Sequence, residues 1–173
     1  MKKAGIFAGA VFTASVMASL FYLGKQKYRK QFESQKIKEM ESVQSKPISV
    51  SQKWGRTSSI ILRIGQLSDR GVHIQDFFAK YGYNNIAIYG MRELGEKLYC
   101  QLQNSGIKVK YVVDRHEIER LNGVIQLKPD DKWESVDAFV VTNMLKFDEL
   151  ENEIAGRLGC PVVSIEEILM DLE

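Results

Sequence analysis

Cysteine, histidine and proline are scarce in this sequence of 173 residues. The two cysteines, Cys100 and Cys160, lie far apart, and the sequence contains no Cys-x-x-Cys pair and no Cys/His cluster. We therefore expect neither a disulfide framework nor a structural metal site. With only three prolines and 13 glycines, the chain is neither collagen-like nor of low complexity. Because 45% of its residues are hydrophobic and 27% are charged, it has the composition of a folded domain.

The motifs of several large enzyme classes are also missing. The sequence contains no Walker P-loop, no Gly-x-Ser-x-Gly turn, no His-Glu-x-x-His motif and no Tyr-x-x-x-Lys pair. Its two histidines are single residues, His73 before a predicted helix and His116 after a predicted strand. We therefore favour a protein without catalytic residues over an enzyme.

Charge is distributed unevenly along the chain. Residues 1–50 carry nine Lys or Arg and three Asp or Glu, whereas residues 51–173 carry fifteen and nineteen. A basic front on an acidic body fits a membrane surface better than nucleic acid, because the folded part lacks a cationic footprint. The sequence therefore predicts a membrane partner and no nucleic-acid partner.

A long uncharged run covers residues 4–24. As a helix, these residues would span about 31 Å, close to the hydrocarbon thickness of a bilayer. A cleaved signal peptide is the alternative, although a secretory apolar region is usually shorter. The heavier basic flank follows the run, and by the positive-inside rule it predicts a single-pass membrane protein with its C-terminal domain in the cytoplasm. That flank consists of Lys25, Lys27, Arg29 and Lys30.

The rest of the chain divides into three predicted regions. Residues 25–50 read as a charged juxtamembrane helix and linker, and residues 51–83 read as a pair of helices, over 53–68 and 74–81. Residues 84–173 then alternate β-prone and amphipathic segments. Such alternation predicts an α/β domain with a parallel sheet and right-handed crossovers. We expect about five strands in the order 3-2-1-4-5, which is half of a Rossmann fold.

A glycine turn follows the first predicted strand. In a dinucleotide fingerprint, Gly-x-Gly-x-x-Gly links a strand to a helix; here the sequence is Gly90-Met91-Arg92-x-x-Gly95. Gly90 permits the tight turn, and Gly95 permits close packing of the helix on the sheet. The second predicted strand ends at Asp114, where an acidic residue commonly accepts from ribose hydroxyls.

These positions form the predicted ligand site. Its residues are Gly90, Met91, Arg92, Gly95, Asp114 and Thr142, the last of which follows the fourth predicted strand. Arg92 replaces the glycine that lets a pyrophosphate approach the backbone, so its side chain either fills that position or binds a phosphate directly. Asp114 has two interpretations as well, a ribose ligand or a turn residue at a strand end. The cofactor stays unknown, with a dinucleotide or a nucleotide-sugar as the candidates.

A family resemblance lies in residues 84–115, NNIAIYGMRELGEKLYCQLQNSGIKVKYVVDR. The run resembles the small Rossmann-like nucleotide- or nucleotide-sugar-binding domains of bacterial capsular and surface-polysaccharide biosynthesis proteins. The runs VDAFVVTN and VVSIEEIL fit the same pattern, so the resemblance covers roughly residues 70–170. It implies a nucleotide or nucleotide-sugar ligand and a glycosyltransferase or a second copy of the chain as partner. Arg92 departs from the family pattern, which prefers glycine.

Three functions follow from these observations. The first is a membrane-anchored, non-catalytic accessory protein of surface-polysaccharide biosynthesis that binds a nucleotide or nucleotide-sugar. The second is a scaffold that keeps the fold and has lost the ligand, as the arginine at position 92 would suggest. The third, a small NAD(P)-dependent oxidoreductase, is disfavoured because no residues remain for a substrate domain.

Overall fold

The computed structural model describes residues 50–118 and 123–173. The predicted membrane anchor (1–24) and nearly all of the predicted juxtamembrane region (25–50) lie outside the described residues. Of the helices within these two ranges, none has the length and apolarity needed to cross a membrane. Residues 54–173 form one compact unit.

Two helices precede an alternation of strands and helices, as the sequence predicts. The first pair is α1 (Val50–Asp69) and α2 (Ile74–Tyr81). There follow β1 (Asn85–Tyr89), α3 (Glu93–Leu102), β2 (Lys108–Val113), β3 (Ile125–Leu127), β4 (Ala138–Val141), a single 3₁₀ turn (Met144–Lys146), α4 (Phe147–Leu158), β5 (Val162–Ser164) and α5 (Ile165–Leu172). Each strand lies within a residue or two of one of the β-prone runs of the sequence, which are residues 86–89, 109–113, 124–127, 137–142 and 161–164. α1 begins three residues before the predicted helix.

The five strands form one parallel sheet in the order β3-β2-β1-β4-β5, which confirms the predicted order. β1 is central, and its Ala87 lies between Tyr111 of β2 and Phe139 of β4. Because all strands are parallel, the turns that follow β1, β2 and β4 meet at the same edge of the sheet. That edge is where a parallel α/β sheet binds its ligands.

One face of the sheet is covered by α4 and by the segment between β3 and β4. Alternate residues of β1, β2 and β4 pack there around Trp133 and Ile154. Arg157 of α4 stacks on the Trp133 ring, with its guanidinium carbon 3.6 Å from the ring centroid. The same guanidinium donates to the carbonyl oxygens of Pro129 at 2.7 Å and Asp131 at 2.6 Å. Arg157 therefore holds the segment between β3 and β4 against the sheet, and this segment has no helix of its own.

Helix α2 packs against both α3 and α5. Phe77 and Phe78 of α2 are completely buried, and burying a side chain of this size stabilises a fold by about 1.5–3 kcal/mol. α2 ends at Gly82, whose φ of 72° is readily adopted only by glycine. The residues Ser164-Ile165-Glu166-Glu167 match a capping box in the sequence, and the structure confirms it for α5, because Ser164 and Glu167 each accept from the other's backbone N–H.

Candidate functional site

The site begins at the turn between β1 and α3. Gly90 has a φ of 90°, and its N–H donates to the carbonyl of Val113 at 2.9 Å, which joins the ends of β1 and β2. A Cβ on Gly95 would collide with the carbonyl oxygen of Gly90. Only glycine at position 95 therefore lets the first turn of α3 pack directly on the turn, in the role that the sequence predicts.

Thr142 packs against the same turn from β4. Its hydroxyl lies 2.6 Å from the carbonyl oxygen of Gly90 and 3.1 Å from that of Tyr89, and its N–H also donates to Tyr89 at 3.0 Å. A Cβ on Gly90 would lie 2.8 Å from this hydroxyl. The buried Thr142 therefore closes the gap between the ends of β1 and β4. The structure places it in contact with the turn and not among the residues that line the neighbouring cleft with Met91, Arg92 and Asp114.

Asp114 joins the turn to the loop that follows β2. One carboxylate oxygen accepts from the N–H of Met91 at 2.8 Å, and the other accepts from the N–H of His116 at 2.9 Å. The side chain is half-buried at the carboxyl end of β2. From the described residues each oxygen accepts a single N–H, and a carboxylate oxygen can accept a second hydrogen bond. Asp114 is thus fixed in orientation and keeps acceptor capacity for a ligand.

A cleft of about 420 Å³ lies between the turn and this loop. Its walls are formed by Met91, Arg92, Glu96, Asp114, His116, Glu117 and Ile118. Three predicted site residues, Met91, Arg92 and Asp114, therefore come together in what we call the Asp114 cleft. Gly90, Gly95 and Thr142 instead shape the turn behind it.

Four residues of the cleft were not predicted to belong to it. Glu96 lies one helical turn after Arg92, so its place on the same side of α3 could have been deduced from the spacing. His116, Glu117 and Ile118 follow Asp114 in a loop, and no regular period exists there from which to read their directions. Only their position after a central strand indicated that they lie near the site.

Arg92 is the N-cap residue of α3, with an extended backbone and no capping hydrogen bond from its side chain. The side chain is exposed, and within the described ranges no ion pair joins it to an acidic residue. Its guanidinium is therefore available to an anion at the start of α3, where the helix dipole also favours negative charge. The carboxylates of Glu96, Asp114 and Glu117 make the remainder of the cleft acidic.

Tyr89, at the end of β1, faces away from the cleft and packs edge-on against Trp133 at 6.3 Å between ring centroids. Burial raises the pKa of its phenol above the ordinary value, and the neighbouring Arg115 guanidinium offsets only part of that rise. The phenol therefore stays protonated at neutral pH. Although Tyr89 lies near the site, we do not assign it a role as a general acid or base.

A second cleft of about 410 Å³ lies at the opposite edge of the sheet, between the end of α3 and the start of β2. Its walls include Tyr99, Leu102 and Lys108. Ligands of parallel α/β sheets bind at the carboxyl ends of the strands, so the Asp114 cleft is the better candidate. Within residues 50–118 and 123–173, no cluster of three or more His, Cys, Asp or Glu is arranged to hold a metal ion.

In a comparison with known proteins, no protein-family model, curated protein or solved structure matches this chain. The resemblance to polysaccharide-biosynthesis domains consequently stays a prediction from residues 84–115 and the runs that follow them. What the structure establishes is a parallel α/β domain with a cleft at the carboxyl ends of β1 and β2.

Proposed function

We propose that this chain is a membrane-anchored, non-catalytic accessory protein whose α/β domain binds a nucleotide or nucleotide-sugar during surface-polysaccharide biosynthesis. The observation that carries the proposal is the position of the Asp114 cleft. It lies at the carboxyl ends of β1 and β2 and has a fixed carboxylate on one wall and, on the other, an arginine without an ion pair to any described residue. The surface-polysaccharide context rests on the sequence resemblance alone.

The carboxylate of Asp114 is suited to a ribose. The N–H groups of Met91 and His116 hold its two oxygens in place, so the side chain loses little further freedom when a ligand binds. Adjacent hydroxyls of a ribose would each donate one hydrogen bond to these oxygens. Such a contact would be selective, because an analogue without the hydroxyls would forgo both of these hydrogen bonds.

The phosphate of the same ligand would lie at the start of α3. The first N–H groups of a helix have no intrahelical partner and favour anions. Arg92 is the N-cap residue of this helix and lines the cleft. Glu93 and Glu96 lie in the first turn and oppose a phosphate there. The Arg92 side chain either offsets their charge or occupies the phosphate position itself, and the two roles predict opposite effects of its removal.

A ligand-free scaffold is the second candidate, and two observations favour it. Arg92 stands where a dinucleotide fingerprint has glycine, and three carboxylates line the cleft. In that case the domain would serve as a docking module for a glycosyltransferase or for a second copy of the chain. No contact among the described residues favours the third candidate, a small NAD(P)-dependent oxidoreductase.

Thermal unfolding of the full chain in detergent micelles separates these candidates. Mononucleotides, a dinucleotide and nucleotide-sugars are added one at a time, each at millimolar concentration. A ligand at one hundred times its Kd stabilises the folded state by about 2.7 kcal/mol, which gives a clear rise in Tm. A rise with one ligand class supports the binding module, whereas an unchanged Tm throughout supports the scaffold.

The membrane placement is tested separately. The proposal puts residues 1–24 across the bilayer and the folded domain in the cytoplasm. A reporter fused to the C-terminus should be active only in its cytoplasmic form, and the protein should stay with the membrane fraction at full length. Activity on the outer side would contradict the orientation, and a shortened soluble product would indicate a cleaved signal peptide.

A further inference from the structure

The wall of the Asp114 cleft that faces α3 is a loop, residues 114–118. It leaves β2 at Asp114, and within residues 114–118 and 123–124 the connection to β3 contains no helix. A crossover between parallel strands usually contains a helix, whose internal hydrogen bonds fix its shape. Here the loop must be held by other contacts if the cleft is to keep its shape.

Gln126, in the middle of β3, supplies these contacts. Its side-chain oxygen accepts from the N–H of Ile118 at 3.0 Å. Its side-chain nitrogen donates to the carbonyl of His116 at 2.6 Å and lies 3.5 Å from that of Asp114. One amide side chain therefore holds the loop at two or three backbone positions, including both ends of the wall.

The sequence of β3 places this amide under the loop. Gln126 pairs with the fully buried Val112, whereas its neighbour Leu127 packs against the core on the other face. An apolar residue would cover Val112 equally well, so burial of the strand does not require glutamine at position 126. The hydrogen bonds to the loop are what an amide adds at this position.

We propose that Gln126 is a positioning residue of the Asp114 cleft, which fixes residues 114–118 as a preformed wall for the ligand. This inference rests on the proposed function, since it concerns the same cleft. Gln126 does not line the cleft and acts through the loop. A wall that is fixed before binding costs less entropy when the ligand arrives, and affinity is correspondingly higher.

The test compares two substitutions in the full chain in detergent micelles. Gln126→Leu removes the hydrogen bonds from this side chain to the loop while keeping a side chain of similar size. Gln126→Glu keeps an acceptor for the N–H of Ile118 and loses the donor to His116. Gln66→Leu, an exposed glutamine of α1, is the matched control. Hydrogen exchange at the Ile118 amide measures the loop, and calorimetry with UMP, AMP and UDP-glucose measures binding.

For Gln126→Leu, we expect exchange at Ile118 about tenfold faster and affinity for the bound probe about tenfold weaker, as for a lost hydrogen-bonding partner. Gln126→Glu should fall between this variant and the wild type, and Gln66→Leu should match the wild type in both measurements. Unchanged exchange in Gln126→Leu would overturn the proposal, and so would faster exchange with unchanged affinity. If the wild type binds none of the three probes, the nucleotide function itself fails and the positioning role falls with it.

Discussion

The two sides of the Gly90 turn are filled in different ways. On the side of β4, the hydroxyl of Thr142 lies 2.6 Å from the carbonyl oxygen of Gly90, so the side chain joins the ends of the two strands directly. On the side of β2, Asp114 contacts the turn through a single N–H and leaves a cleft of about 420 Å³ beside it. A polar side chain at a strand end can therefore complete the fold or prepare a site, and its contacts distinguish the two roles.

The difference arises from what each side chain can still bind. The Thr142 hydroxyl has one proton, and it lies against two backbone carbonyls, so it has little left to offer a ligand. The Asp114 carboxylate has two oxygens, and each accepts one N–H from the part of the chain that the structure describes. We therefore expect changes on the β4 side to reduce stability, and changes on the β2 side to alter binding.

The largest effect is expected behind the turn, at Gly95. Gly95→Ala places a Cβ against the backbone of Gly90, where neither group can move freely, and should destabilise the fold by about 1–3 kcal/mol or more. Urea denaturation followed by tryptophan fluorescence measures it. Gly156→Ala in α4 is the matched control, because nothing lies within 4 Å of that position. The control should be neutral or stabilising by up to about 1 kcal/mol, and equal costs at both positions would contradict the close-packing role.

The next effect concerns Thr142. Thr142→Val keeps the shape and removes the hydroxyl, which leaves the carbonyls of Tyr89 and Gly90 with one partner fewer. It should cost about 1–3 kcal/mol in the same denaturation experiment, and Thr142→Ser should recover most of that loss. Nucleotide affinity should be the same in Thr142→Ser and the wild type. A Thr142→Ser variant that is fully stable but binds more weakly would return Thr142 to the ligand site.

The fold could be predicted further than the site. Short apolar runs such as Ile86–Tyr89 alternate with amphipathic segments, and both are recognised from the spacing of apolar residues within a few positions. With right-handed crossovers, this alternation predicts the strand order. Capping by Ser164 and Glu167 was equally visible, because the whole motif lies within four residues. Gly90 was correctly assigned to the tight turn and Gly95 to the close packing of α3, because each of these positions requires glycine for its own reason.

The site was less predictable, because its contacts join residues distant in sequence. Nothing local to Thr142 indicates that it would contact Gly90 rather than face the cleft. Gln126 shows no signal either, since a single amide in a three-residue strand acquires its role only from the loop it contacts. Arg157 is similar: its spacing on α4 predicts a surface residue, and the structure places it over Trp133.

The third prediction concerns affinity rather than stability. Asp114→Ala removes the acceptor proposed for the ribose and should weaken binding of a nucleotide by about 1–3 kcal/mol, the cost of leaving polar groups unpaired. Asp114→Asn is the isosteric variant and should lie between Ala and the wild type, because one oxygen remains. Calorimetry with a nucleotide-sugar measures both. If the affinity of Asp114→Ala is unchanged, Asp114 does not contact the ligand. Its role is then to join the Gly90 turn to the loop after β2.

The smallest effect, and the one that best separates a binding module from a scaffold, is expected for Arg92→Gly. The exposed side chain makes no capping hydrogen bond, so stability should change little, and glycine is accepted at an N-cap. We expect the substitution to open the pyrophosphate position and to strengthen binding of a dinucleotide or nucleotide-sugar about two- to fivefold, because the helix N-terminus then meets the phosphate directly.

Calorimetry of the full chain at two salt concentrations decides between the two roles of Arg92. If the arginine fills the pyrophosphate position, the glycine variant binds more tightly at both concentrations. If it binds a phosphate instead, the variant binds more weakly and loses part of its salt dependence, because one screened charge pair is gone. Arg92→Lys refines the second case, since a lysine keeps the charge but lacks the planar fork of the guanidinium. If neither the wild type nor Arg92→Gly binds a ligand, the scaffold is favoured. Removal of the Arg92 side chain would then have opened the position without producing any binding.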